Sequence, residues 1–242
     1  MVGRIIGFVI LVIFAFYFFA SMAGYRAKVP VPPFWTILCL FAAFAIYGIW
    51  SRRRRKAKFT EAASLLGLER VEGKLKPEAQ EFAPLNLFSK GHYRSMSNVL
   101  RGVDEWLFDY SFQTHSRKGT TVYTVALFQL ARRELPEFEL HPQGVLSKIA
   151  IAFGGQDIDF EDDPEFSKRF RLKGEDENRI RELFDLFLRS ELKARPRWSF
   201  SGQSRWLAVY CRRTLPAGKI VGFFNTARTF ARSFERSARR LR

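Results

Sequence analysis

Glu105-Trp106-Leu107-Phe108-Asp109-Tyr110-Ser111-Phe112-Gln113-Thr114 is the stretch on which the fold turns. Its aromatic residues fall at 106, 108, 110 and 112, and a period of two is that of a strand whose successive side chains point to opposite faces. The even positions therefore form a half-buried face. After His115-Ser116-Arg117-Lys118-Gly119, a Gly-containing turn, Thr120–Ala131 repeats the period less cleanly through Val122, Thr124, Ala126 and Phe128. Two such runs across a short turn read as an antiparallel hairpin.

Working outward, Ser97–Val103 and Glu137–His141 read as further strands, and Ile158 with Phe160 as a brief one. Thr60–Leu66 reads as a short helix ended by Gly67, and Pro77–Pro84 as a connecting segment. Asp163-Pro164-Glu165 places a cap, a proline and an acid where a helix begins. Phe170–Lys173 follows as a strand closed by Gly174. Asp176–Leu192 is a helix, with Ile180, Leu183, Phe184, Phe187 and Leu188 in one stripe and acids at its start. Trp198–Ser201 and Arg205–Cys211 flank Gly202-Gln203-Ser204 as a second hairpin. A terminal amphipathic helix runs over about 216–241, its stripe made by Ile220, Phe223, Phe224, Ala227, Phe230, Ala231, Phe234, Ala238 and Leu241. Strands, helix, hairpin and helix in this order predict an α+β domain built on antiparallel pairs.

Upstream lie two apolar runs, Ile5–Tyr25 and Phe34–Trp50, joined by the proline-rich Arg26–Pro33. Ile5 to Ala20 carries no charged residue, as a hydrocarbon slab about 30 Å thick demands of a spanning helix. The pair predicts a transmembrane helical hairpin over residues 1–58, followed by a cytoplasmic domain over 59–242. Trp35 and Trp50 bracket the second span as interfacial aromatics do. Two bases in the connecting loop against six in Ser51–Lys58 place the latter end in the cytoplasm, since basic residues mark the inner side. The expected topology is thus multi-pass in a cell membrane, with the C-terminal domain in the cytoplasm. A cleavable signal peptide is the alternative for the first run, through Arg4 and the small residues Ala20, Ser21, Ala23 and Gly24. Neither run contains Asp, Glu, Lys, Arg or His between its flanks, which argues for an anchor rather than a transport path. Cys39 and Cys211 fall in different segments and predict no disulfide framework.

The formal net charge of +16 is unevenly spread. Residues 59–211 hold 22 Lys and Arg against 23 Asp and Glu, while residues 212–242 hold nine bases and one acid. A nucleic-acid groove needs a basic stripe on the domain itself, so nucleic acid is not the expected partner. The lipid bilayer and its anionic headgroups are, because each nearby cation gains about 1 kcal/mol at the inner leaflet. The expected surface contacts are Arg52, Arg53, Arg54, Arg55, Lys56 and Lys58, with Arg228, Arg232, Arg236 and Arg239 along the terminal helix. That helix docks its Phe/Ala face on the sheet, lies at the bilayer as an interfacial clamp, or does both by packing on the body and presenting its arginines to lipid.

Asn98-Val99-Leu100-Arg101-Gly102, Phe108–Phe112, Leu135–Leu140, Asp157–Phe160 and Pro164–Phe170 together resemble a bacterial family of membrane proteins of unknown function. The resemblance covers most of 85–211. It implies a two-span anchor with a cytoplasmic domain and carries no activity with it.

Chemistry is sparse. GxxxxGK[ST], GxGxxG, GxSxG, HExxH and CxxC do not occur. His92, His115 and His141 are scattered, without the spacing of a metal site or triad. Asp157, Asp159 and Glu161 would share one strand face, and clustered carboxylates are hard ligands for Mg²⁺ or Ca²⁺. Against that, Ile158 and Phe160 take the buried face, and Arg169, Arg171 and Lys173 are near enough to pair with the acids. The leading expectation is a membrane-anchored, non-enzymatic module that binds a protein partner or regulatory ligand, without a cofactor. The lipid clamp and a metal-dependent hydrolase at Asp157, Asp159 and Glu161 are the alternatives.

Overall fold

The computed structural model describes residues 34–114, 119–131, 134–143 and 157–241, with side chains from residue 41 onward. The first expected span and its loop, His115, and the side chains of Trp35 and Cys39 lie outside the described residues. The chain divides into Met1–Arg54 and Arg55–Arg242, a boundary before the one expected at residue 58.

In the first unit the expected second span is helical, as the beginning of helix α1, Phe34–Leu66. Phe41, Phe44, Ile46, Tyr47, Ile49 and Trp50 are all exposed along it. Tyr47 packs on Trp50, and the Arg54 guanidinium lies 5.2 Å over the Trp50 ring. Among the described residues no helix is long and apolar enough to cross a membrane.

In the second unit α1 ends where Gly67 takes a φ of +68°, and Leu68 N–H closes back on Ala63 O at 2.9 Å. Only glycine enters that left-handed region at little cost, which makes it the usual residue after a helix's last turn. Strands β1 (Glu69–Arg70), β2 (His92–Arg101), β3 (Glu105–Gln113) and β4 (Thr120–Gln129) follow, with a short helix α2 (Asn86–Ser89) between β1 and β2. Next come β5 (Leu135–Pro142), α3 (Pro164–Arg169), β6 (Phe170–Gly174), α4 (Glu177–Leu183) and α5 (Leu186–Lys193). β7 (Ser199–Ser204), β8 (Trp206–Cys211) and α6 (Ile220–Ala238) complete the body. The sheet runs β1-β2-β3-β4-β8-β7-β5-β6, every pair antiparallel. The α+β expectation therefore holds for this unit.

Each face of the sheet carries its own apolar core. On one, Leu107, Ala126, Phe128, Phe138, Phe200 and Val209 meet α1 through Phe59 and Ala62, α6 through Phe224, Phe230 and Phe234, and α3 to α5 through Phe166, Phe184 and Leu188. On the other, Trp106, Phe108, Tyr110, Phe112, Tyr123 and Tyr210 are covered by Phe82, Leu85, Leu87 and Phe88. The hairpin is thus buried on both faces, not half-buried as its period suggested. The segment Pro77–Pro84, expected only to connect, is the reason, together with Leu85–Phe88 after it: it lays Phe82 edge-on to Trp106 at 5.4 Å and stacks it on Phe108 at 6.2 Å.

Two further expectations are corrected. The helix over Asp176–Leu192 is two helices, broken at Phe184-Asp185, because the Asp185 carboxylate accepts from Leu188 N–H at 2.8 Å and starts α5 afresh. Gly202 is not a turn residue. It pairs with both Leu207 and Phe138 inside the sheet, and a Cβ there would overlap the Phe138 ring. The turn itself lies at Ser204-Arg205, between the Gln203↔Trp206 partners. Ile158 and Phe160 form no strand, although Ile158 N–H reaches Leu172 O at 2.8 Å.

Candidate functional site

The body begins with a buried ion pair. Arg55 Nε and Nη2 donate to the two oxygens of Asp109 at 2.7 and 2.6 Å, and Nη1 donates to Leu215 O at 2.6 Å. Asp109 also accepts from Asn98 Nδ2 at 2.9 Å and Thr124 Oγ1 at 3.1 Å, and Leu215 N–H donates to Thr124 Oγ1 at 3.1 Å. Such a forked, charge-assisted pair fixes geometry as well as adding energy. Asn98 reaches in from a β2 irregularity at a φ of +53°, a conformation asparagine tolerates better than most residues. Three strands, the entry helix and the loop ahead of α6 thus converge on one carboxylate. Asp109 is 3% exposed.

Arg55, among the expected surface contacts, is therefore turned into the body, where Asp109 and Leu215 take up its guanidinium. Helical spacing explains it, since residues 55, 59, 62 and 66 lie on one face and Phe59, Ala62 and Leu66 are buried. Arg52, Arg53, Arg54 and Lys56 are exposed, and Lys58 pairs with Glu61 at 2.5 Å. On α6 the Phe/Ala stripe docks on the sheet, so the clamp reading loses its apolar half. Arg228 is also engaged internally, its Nε donating to Glu105 at 2.9 Å. Arg232, Arg236 and Arg239 are exposed, with Arg236 stacked 5.0 Å from the Phe187 ring.

The acidic run is taken up by cations. Asp157 faces Arg171 at 2.8 Å and Lys173 at 3.7 Å. Asp162 grips Arg189 through bonds of 2.9 and 2.5 Å, which hold the Asp162 carboxyl below its usual value. Arg189, 3% exposed, lies 4.2 Å over Phe160. Asp163 caps α3 through Phe166 N–H at 3.1 Å and meets Lys193 at 2.9 Å. Asp159 and Glu161 are exposed beside a shallow cavity of about 390 Å³ that Asp157, Lys168 and Ser167 also line. Among the described residues no group of three His, Cys, Asp or Glu side chains could hold a metal ion, so Asp157, Asp159 and Glu161 do not converge as the hydrolase reading requires.

A second buried polar cluster escaped the sequence reading. On β5, Phe138 and Leu140 enter the helix-side core while Glu139 and His141 point to the opposite face. There Lys90 donates to Glu139 Oε1, and His141 Nε2 lies 3.3 Å from Glu139 Oε2. His141 Nδ1 is buried with no hydrogen-bond partner among the described residues. Burial pushes Lys90 and His141 below their ordinary values, against the pull of Glu139. For Glu139 burial works upward, but the His141 hydrogen bond and the Lys90 charge outweigh it and hold the carboxyl low. The only signal was an acid and a histidine alternating with apolar residues, a pattern that reads equally as a half-solvated strand face.

These shifts share one sign. His141 resists protonation in the fold, whereas an unfolded histidine protonates near 6.5. The unfolded chain therefore binds more protons as pH falls through 6.5, and stability falls with it, by at most about 1.4 kcal/mol per pH unit for one proton. Glu139 extends the loss below its ordinary 4.5. Thermal melts of His141→Gln should show a shallower loss just below pH 6.5 than the parent; parallel curves would refute the assignment.

An eight-stranded antiparallel sheet with helices on one face and an apolar strap on the other defines the fold among the described residues. Among solved structures, it is similar to the crystal structure of the mycobacterial trehalose monomycolate transport factor A, TtfA, with a TM-score of 0.55. The match spans 78% of this chain and 97% of that one at 13% identity, which shows a shared fold. No protein-family model and no curated protein matches the sequence.

Proposed function

We propose that this chain is a non-enzymatic module of a bacterial inner membrane, anchored by an N-terminal helical hairpin. Its cytoplasmic α+β body binds a protein partner, and its basic segments contact the anionic inner leaflet. One observation carries the reading: the helix over residues 41–50 exposes Phe41, Phe44, Ile46, Ile49 and Trp50 and passes directly into Arg52, Arg53 and Arg54. An exposed apolar surface of this kind marks a membrane or protein contact, and the cations that follow favour an anionic leaflet. The buried Asp109, Glu139 and Arg189 are each held in an ion pair, which suits recognition rather than turnover. The likeness to a transport factor is in keeping with an accessory role.

Two fusions after Arg242 test the reading. A fluorescent protein that matures only in the cytoplasm should be bright, and alkaline phosphatase, active only outside, should be silent. The chain should stay with the membrane through alkaline carbonate washing. Phosphatase activity, or release into the wash, would overturn the proposal.

A further inference from the structure

The first residue of the body is fastened to a basic loop. Leu215 is gripped on both sides, its carbonyl by Arg55 and its N–H by Thr124, so the loop from Arg212 to Lys219 is held beside the point where the chain enters. That loop contains three bases and no acid, and Arg213 and Lys219 are exposed. At the same end of the sheet β8 leaves through Cys211, opposite Thr124 of β4, and β2 begins at His92, opposite Gln113 of β3. Next to His92 stands Tyr93, 83% exposed and held at a φ of +51°. Topology thus places an outward aromatic and two exposed cations toward one end of the sheet. The far end of the same strands differs: Val103 is 92% exposed there, but beside Asp104 and Glu105.

We infer that the sheet end formed by Tyr93, Arg213 and Lys219 is the surface by which the body rests on an anionic lipid bilayer. The inference depends on the anchor proposed above, because Arg55 follows residues 52–54 directly in the chain and is itself bonded to Leu215. Charge complementarity selects the partner: lysine and arginine gain most beside phosphodiester headgroups within a Debye length. A tyrosine places its ring at the headgroup level and its hydroxyl toward water, as aromatics do at membrane interfaces. Lys56, exposed next to Arg55, adds a third cation.

The full chain, with Cys39→Ala and Cys211→Ala, would be reconstituted in nanodiscs of phosphatidylglycerol or of phosphatidylcholine. Single cysteines at Ile46, Tyr93, Val103 or Phe187 would carry an environment-sensitive dye, with a nitroxide-bearing lipid as quencher. Ile46 should be quenched in both discs, since it reports the anchor alone. Tyr93 should be quenched several-fold more than Val103 and Phe187 in phosphatidylglycerol. The difference should vanish in phosphatidylcholine, at high salt, and with Arg213→Glu plus Lys219→Glu. Ile46 quenched with Tyr93 no more affected than Val103 overturns the surface and leaves the anchor standing. Quenching at Phe187 instead assigns the contact to the arginines of α6, and likewise overturns it. An unquenched Ile46 defeats the anchor and this inference together.

Discussion

Asp109→Ala should lower the melting temperature of the protein's body by ~10 °C. Removing one partner of a buried pair costs about 3–5 kcal/mol, because the charge left behind is uncompensated. In a domain of this size each kcal/mol shifts the midpoint by about 2–4 °C. Asp109 is a severe case: its loss orphans Arg55 and also takes an acceptor from Asn98 and Thr124. The pair itself need not add net stability, since an apolar replacement of similar volume is often neutral or better. Arg55→Met with Asp109→Leu should therefore melt above either single variant, measured by calorimetry. A double variant as unstable as the sum of the two would show that the network works through something other than stranded charge.

Phe138→Ala is the apolar counterpart, with an expected loss of about 3–5 kcal/mol. Phe138 is fully buried, stacked on Phe234 at 5.5 Å and edge-on to Phe184 at 5.0 Å, with its ring lying over Gly202. Alanine deletes the ring that Phe184 and α6 share and leaves a cavity that β7 cannot fill, because Gly202 has no side chain. Phe138→Leu keeps most of the volume and should cost less than half as much. Denaturant melts with unchanged slope would confirm the assignment. Equal losses from Leu and Ala would point instead to the aromatic contacts as the dominant contribution.

How much was readable beforehand varies with the kind of interaction. β3, β6 and α6 announced themselves, because period two, a closing glycine and a three-to-four spacing are local properties of the chain. The break at Phe184-Asp185 was hidden, since Leu183, Phe184, Phe187 and Leu188 still fall at helical spacing across it. What decides the break is one hydrogen bond from Leu188 N–H to Asp185. The second core was hidden because Phe82, Leu85, Leu87 and Phe88 sit among prolines, acids and amides and show no period. β2 begins earlier than Ser97 because Ser95 pairs with Ser111 at 2.8 Å, a cross-strand contact that polar residues do not advertise.

The site was less legible than the fold for a related reason. A run of four arginines looks uniform, and only the heptad-like relation of Arg55 to Phe59, Ala62 and Leu66 separates it from its neighbours. Its partner Asp109 lies on another element altogether. The same is true of Lys90, whose acceptor Glu139 is on a strand at the far side of the sheet. Acids near one another in sequence, such as Asp157, Asp159 and Glu161, suggested a cluster that the folded chain disperses among Arg171, Lys173 and solvent.

The order of the strands also governs the protein's birth. β4 takes β8 as its second neighbour, and Thr124 waits for Cys211. During synthesis the hairpin of β3 and β4 therefore emerges with a bare, strongly apolar rim, Val125 and Leu127 among it, that stays unpaired until Trp206–Cys211 has been made. Unprotected rims of this sort are where nascent chains stick to one another. A ribosome stalled ahead of the Trp206 codon, but far enough past Gln129 for β4 to have left the exit tunnel, should yield aggregated product, and one stalled beyond residue 211, with that stretch clear of the tunnel, should not.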